Sequence, residues 1–211
     1  MTVEPGPDEK SDLIVLDAGP ILNFMSRHET CTLYLNTLKH MTGTVAVPDA
    51  VLDEVNHKAA RDRRFTLCQR KLQGILSSGH AKKLETPARV DDEDYAFHWT
   101  WVTNACSPSM LQSGKHRGEM VLIAHARLLI SRGYDVVAMI DDQDAIKLAH
   151  KAQVPTFTTV DLFFESISAG LISTRAELRR LYGLVQPNDD GLLPFERTEL
   201  EHFSWPATKA A

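Results

Sequence analysis

The sequence predicts an α/β domain: a three-layer sandwich with a mostly parallel central sheet flanked by helices. Three observations carry this. Short β-branched apolar runs recur along the chain, among them "LIVL", "TVAV" and "DVVAMI". Longer segments with helical periodicity separate them, and strands alternating with helices favour parallel pairing with helices on both faces. A chain of 211 residues with 43% hydrophobic content can bury a core of that size without staples.

The elements follow in order. Residues 1–11 are polar and contain Pro and Gly; they read as a disordered lead-in, and they lack the apolar region of a secretory signal. "DLIVLDAGP" reads as a buried strand ending at Asp17, with Pro20 in the first turn of a helix "ILNFMSRH". "ETCTLYLNTLKH" is a second helix. "TVAV" is a strand that breaks at Pro48, which opens the helix "PDAVLDEVNHKAARD". "RRFTLCQRKLQGILSSG" is amphipathic and helical to Gly79, and "KKLETPARV" holds a short strand. "DDEDYAFHWTWVTNAC" opens with acids, which suit the positive end of a helix dipole.

"SPSMLQSGKHRG" reads as a loop. "EMVLIAHARLLISRG" is apolar on nearly every side and should be a central helix covered all round. Strand "DVVAMI", helix "DAIKLAHKAQ", strand "VPTFTT" and helices "DLFFESISAG" and "TRAELRRLYG" complete the pattern. After Gly183 the periodicity is lost, and the tail reads as an extended or loosely packed arm whose isolated apolar residues, Leu192, Leu193, Phe195, Phe203 and Trp205, either pack back on the domain or dock on a second subunit or an antitoxin. The expected division is a lead-in at 1–11, a main domain at 12–170, and a C-terminal helix and arm at 171–211.

Composition excludes several classes. A net charge of −5 is not that of an overtly basic nucleic-acid coat, though it allows a local basic rim. Cys31, Cys68 and Cys106 share no CxxC spacing, which argues against a disulfide framework and a structural zinc site. The reading is a reducing, cytoplasmic setting. The longest apolar run, "MVLIAHARLLI", is interrupted by His125 and Arg127 and is no membrane span.

The acids are the chemically informative residues. Asp17 ends the first strand, and Asp141 and Asp142 end a later one. In open α/β sheets, ligands bind beyond the carboxyl ends of the strands. Glu54 lies at the border of the buried face of its helix, between Val51 and Val55, and Glu119 begins the apolar helix after Gly118. Singly, each has a bland reading: a strand-end Asp can be a helix cap, Glu54 a solvated helix residue, and Glu119 and Asp144 first-turn acids. Three aspartates within "MIDDQDAIKLAH" nevertheless repel one another unless something positive sits among them.

"LIVLDAGPIL", "VPDAVLDEV", "RGEMVLIAHA" and "MIDDQDAIKLA" occur in this order with helical spacers. The set resembles the PIN-domain family, the fold of VapC-like toxin ribonucleases, over about Leu13 to Phe164. The resemblance implies a parallel sheet with an acidic pocket for Mg²⁺ or Mn²⁺. It maps the first three acids onto Asp17, Glu54 and Glu119, and the fourth onto Asp141 or Asp142. On that basis Asp17, Glu119 and one of the pair ligate metal directly, and Glu54 holds a metal-bound water or a second ion. There are departures. The third acid is often Asp in the family, Ala18 and Gly19 stand where a hydroxyl residue is common, and the chain is longer than the compact toxins.

Phosphodiester substrate needs a positive rim. Lys58 and Arg61 follow Glu54 on its helix, and Lys115 and Arg117 precede Glu119; these are the candidate phosphate contacts. Trp99 and Trp101 can stack on bases or fill core. The nine histidines show no ligand spacing and receive no site role. The expectation is a metal-dependent endoribonuclease acting on RNA, the toxin of a toxin–antitoxin pair, with an antitoxin and a homodimer as candidate partners and no membrane. The alternative is a PIN-fold regulatory or structural protein without strong catalysis. A receiver-like phosphate-transfer domain is disfavoured: the chain lacks a GxxxxGK loop.

Overall fold

The structure, a computed structural model, describes residues 12–41, 43–87, 92–113, 116–188 and 192–205; the expected lead-in at 1–11 lies outside them. Strands β1 (Leu13–Leu16), β2 (Thr44–Pro48), β3 (Ala81–Leu84), β4 (Val136–Met139) and β5 (Thr156–Phe157) form one sheet in the order β3-β2-β1-β4-β5. Every pairing is parallel, so the sheet is wholly rather than mostly parallel. Around it stand α1 (Ala18–Met25), α2 (His28–His40), α3 (Asp49–Arg61), α4 (Thr66–Ser77), α5 (Glu93–Ala105), α6 (Pro108–Ser113), α7 (Arg117–Ser131), α8 (Gln143–Lys151), α9 (Thr159–Ser168) and α10 (Arg175–Val185).

Side-chain alternation splits the core into two layers, because successive strand residues face opposite sides. Ile14, Leu16, Val45, Val47, Met139 and Phe157 pack with α1–α4, α9 and α10 on one face. Leu13, Val15, Ala46, Val136, Ala138 and Ile140 pack with α5–α8 on the other. All four β1 residues are therefore buried, and its continuous apolar run is that of a strand covered on both sides. Helix α7 is covered nearly all round, as its composition requires: Gly118, Met120 to Ala126 and Leu128 are buried. It stops where Gly133 takes φ +87°. The Gly133 amide donates to the Ile130 carbonyl and the Tyr134 amide to the Leu129 carbonyl, the paired bonds of a Schellman termination.

One segment differs from the sequence reading, and a second is open in it. The stretch expected as a loop before α7 contains the short helix α6, whose Met110 is buried against the second layer; its Ser-rich polarity hides a single apolar anchor. The tail also packs back on the molecule. It forms short 3-10 turns at Phe195–Arg197 and Glu199–His202, and Phe195 and Leu200 join the first layer. A run of ring contacts links α1 to this tail: Phe24 to Phe163 at 5.5 Å, Phe163 to Tyr182 at 5.5 Å, and Tyr182 to Phe195 at 5.6 Å. No helix among the described residues is long and apolar enough to cross a membrane.

Candidate active site

The strand order reverses direction at β1 and β4, which are neighbours in the middle of the sheet. A crevice opens at the carboxyl ends of such a pair. Asp17 and Asp141 follow those two strand ends, and the Asp17 amide donates to the Met139 carbonyl across them at 3.1 Å.

Asp17 is buried, at 5% exposure. It occupies the N-cap position of α1 but makes no side-chain capping bond, so the helix does not consume its carboxylate. Its carboxyl is held well above the usual carboxylate range. Burial is the main cause; Glu119, Glu54 and, more weakly, Asp141 add to it, against the opposing Ala18 amide. The sequence candidates from four separate elements therefore converge. Tyr34 on α2 reports the same crowding: its phenol is pushed well above its ordinary value by burial, then by Asp141 and Asp17.

Each acid is positioned differently. Glu119 stands in the first turn of α7, with its carboxyl raised by burial and by Glu54 and Asp142. Its Oε1 lies 3.4 Å from His116 Nδ1, a charge contact not aligned as a hydrogen bond, and its Oε2 is buried with no hydrogen-bond partner. From sequence His116 is only a neighbour of Glu119 in the basic stretch "KHR"; the turn that opens α7 brings its ring against the Glu119 carboxylate. Glu54 packs against that same turn: a Cβ on Gly118 would lie 3.0 Å from Glu54 Oε2. Asp141 is gripped by Thr159, whose amide donates to Oδ1 and whose hydroxyl donates to Oδ2, both at 2.7 Å.

Asp142 does other work. It caps α8, its Oδ1 accepting from the amides of Asp144 at 2.9 Å and Ala145 at 2.8 Å, and it touches the cluster only through its charge on Glu119. Asp144 is an exposed first-turn acid paired with Lys147 at 2.9 Å.

The donor set is all carboxylate oxygen, the donor that hard divalent ions favour. Asp17 is buried, Glu54, Glu119 and Asp141 are partly buried, and Glu119 Oε2 has no hydrogen-bond partner. As the side chains stand, no group of three or more Asp, Glu, His or Cys among the described residues is drawn close enough to hold a metal.

A groove of about 560 Å³ leads away from Glu54 and Gly118, lined by His57, Lys58, Arg61 and Arg117 among others. Three of the four predicted phosphate contacts thus share one channel; the fourth, Lys115, lies outside the described residues. Trp101 is covered by the Arg127 guanidinium at 3.8 Å, whereas Trp99 lines a smaller slot next to the groove. A larger cavity of about 820 Å³, lined by Asp12, Lys39 and Lys71 among others, contains none of the site acids.

A polar network that no local sequence pattern announces fixes the groove wall. Thr86, just beyond β3, donates from its amide and hydroxyl to Asp49 at 2.9 and 2.5 Å, and its hydroxyl lies 3.3 Å from His125 Nε2. Burial pushes the Asp49 carboxyl up, but these bonds and the Ala50 amide outweigh it and hold it below the ordinary value. Burial pulls His125 down to about 4. Between that value and the unfolded ~6.5, the unfolded chain binds the extra proton. Stability should therefore fall as pH drops from ~6.5 to ~4, by up to about 3 kcal/mol. His125→Gln should lose that slope. Thermal melts at several pH values test it; parallel curves for wild type and variant would show that His125 is not the titrating group.

No protein-family model matches the sequence, and no curated protein matches it. Among solved structures, the chain is similar to one in the crystal structure of VapBC2 from Rickettsia felis bound to a DNA fragment from their promoter. The TM-score is 0.48 at 15% sequence identity, over 69% of this chain and 98% of that chain.

Proposed function

We propose that the chain is a metal-dependent endoribonuclease of the PIN type, the toxin of a toxin–antitoxin pair. The observation that carries the nuclease reading is the convergence on buried Asp17 of Glu119, Glu54 and Asp141 from three other elements. Burying like charges together costs stability unless a cation offsets them. The toxin role rests on the four ordered motifs that resemble the family.

Asp17 and Glu119 would hold Mg²⁺ or Mn²⁺, with Asp141 kept in a fixed orientation by Thr159. When bound, such an ion lowers the pKa of a water and offsets charge on the phosphate. Glu54, wedged against Gly118, stands between this cluster and the groove, where it can accept a proton from an attacking water. Lys58, Arg61 and Arg117 hold the phosphates on either side of the scissile one. None of the three has an ion-pair partner among the described residues.

The test is cleavage of a fluorescent single-stranded RNA with Mn²⁺, and with Mn²⁺ removed by chelator, with a DNA strand of the same sequence alongside. Metal-dependent cutting of RNA is expected. A folded protein that cuts no single-stranded RNA in either condition would leave the second reading, a regulatory PIN-type protein. One observation favours that reading: the carboxylates are not closed around an ion position.

Gly118→Ala probes the Glu54 contact. The new methyl meets only the end of a flexible side chain, and α7 exchanges a poor helix former for the best one. The fold should be unchanged or up to ~1 kcal/mol more stable, while cleavage falls as the Glu54 carboxylate is displaced. Unchanged cleavage would mean that the position of Glu54 is immaterial.

A further inference from the structure

The slot beside the phosphate groove has walls of a kind that phosphates do not need. It is about 190 Å³ in volume and is lined by Thr86, Pro87, Tyr95, Trp99, Arg117 and Val121. Thr86, Arg117 and Val121 also line the groove, so the two spaces are continuous, and the groove in turn includes Glu54 of the acidic cluster. A strand laid along the groove would thus meet carboxylates, then cations, then an aromatic recess.

The aromatic walls are not fully used by the fold. Trp99 is partly buried against the second layer, but among the described residues it has no ring or cation partner, unlike Trp101. Tyr95 is buried and closes the inner wall, with its hydroxyl sealed from solvent beside Thr86. Thr86 lies next to it but is turned to Asp49. Arg117, at the mouth, forms no ion pair among the described residues. An indole face backed by a buried phenol ring, next to a guanidinium with no ion pair among the described residues, suits a flat heteroaromatic ring attached to a phosphate.

We infer that this slot is a subsite for one unpaired nucleobase of the RNA strand, with Trp99 as its stacking face, Tyr95 as its inner wall and Arg117 on the adjoining phosphate. The inference rests on the nuclease reading and deepens it. A slot this small accepts one base and not a base pair, so duplex is excluded unless a base is extruded at the cost of unstacking. Stacking tolerates any base because every base has a π face.

The experiment uses the full chain in the Asp17→Asn background, where the strand is bound but not cut. Binding of a short single-stranded RNA is measured by fluorescence anisotropy, with a single abasic site moved along the oligomer. One abasic position should weaken binding by about 5- to 150-fold, the range for loss of one stacked base. Trp99→Ala should weaken the intact oligomer to the same degree and the abasic oligomer no further, since both remove one contact. Trp99→Phe should restore most of the affinity.

If RNA binds but no abasic position matters, or Trp99→Ala weakens intact and abasic strands alike, the base slot is overturned while the nuclease reading stands. If the folded protein binds no RNA at all, both fall. Should Trp99→Ala fail to fold, Trp99 fluorescence is read in the Trp101→Phe, Trp205→Phe chain. Quenching by the intact oligomer but not by the abasic one supports the slot, and no quenching by either overturns it.

Discussion

Asp17→Asn should remove cleavage and, in the absence of metal, raise the melting temperature. The same burial that makes the carboxylate a candidate ligand makes its charge costly, and three further acids add to that cost. Asparagine keeps the shape and discards the charge. Activity should fall on the order of 10²–10³-fold, the several kcal/mol that metal-assisted charge stabilisation supplies. Each kcal/mol of repulsion relieved should add about 2–4 °C in a chain of this size. Asp142→Ala should do the reverse to the fold: it deletes the acceptor for two α8 amides and costs about 1 kcal/mol, as a lost helix cap does. Thermal melts in chelator and cleavage with Mn²⁺ separate the two roles. Should Asp17→Asn be destabilised as much as Asp142→Ala, Asp17 is structural.

Truncation after Asn188 should be the most damaging change outside the site. It removes Phe195 and Leu200, each buried in the first layer and each contributing about 1.5–3 kcal/mol. It also removes the Leu193 carbonyl that accepts from the Tyr182 hydroxyl at 2.6 Å and leaves the aromatic run from Phe24 open at one end. About 3–6 kcal/mol is a large share of the 5–15 kcal/mol that separates folded from unfolded domains. The truncated chain should melt roughly 10–20 °C lower and bind a hydrophobic dye. A truncated protein that melts like the full chain but no longer binds a second copy or a partner would make the tail a docking arm instead.

What sequence could show here depended on distance along the chain. Asp17 and Asp141 were legible at strand ends because an apolar run stopping at an acid is a local signal. The mostly apolar composition of α7 foretold its burial for the same reason. Which strand lies beside which is not local, so Glu54 and Glu119 were placed in one pocket by the resemblance alone, and the contact of Glu54 with Gly118 came from the structure. The difference between Asp141 and Asp142 was equally hidden. It depends on Thr159, whose amide and hydroxyl reach Asp141 from beyond β5, and on the α8 amides that Asp142 caps. Thr86 and His125 reach Asp49 from β3 and α7, which no periodicity records. The tail stayed open because isolated apolar residues on 3-10 turns have neither period 2 nor 3.6; they could pack back or dock on a partner, and Phe195 and Leu200 are as buried as the main core.

The pairing of β1 with β4 has a consequence for the order of assembly. Leu13 is in register with Val136, so the central pair of the sheet cannot close until nearly two thirds of the polypeptide has been made. Pairings so remote in sequence fold slowly, because the intervening loop must be ordered before the contact repays it. A nascent chain that has reached β3 can build the β3-β2-β1 half with α1–α4, and with it Asp17 and Glu54. It cannot bring up Asp141, which arrives with β4, nor the Thr159 that orients it. The last strands to dock are the ones that bring Asp141 and Thr159 to the earlier acids, so the proposed hydrolytic activity should be acquired late, only after β4 and β5 have been made.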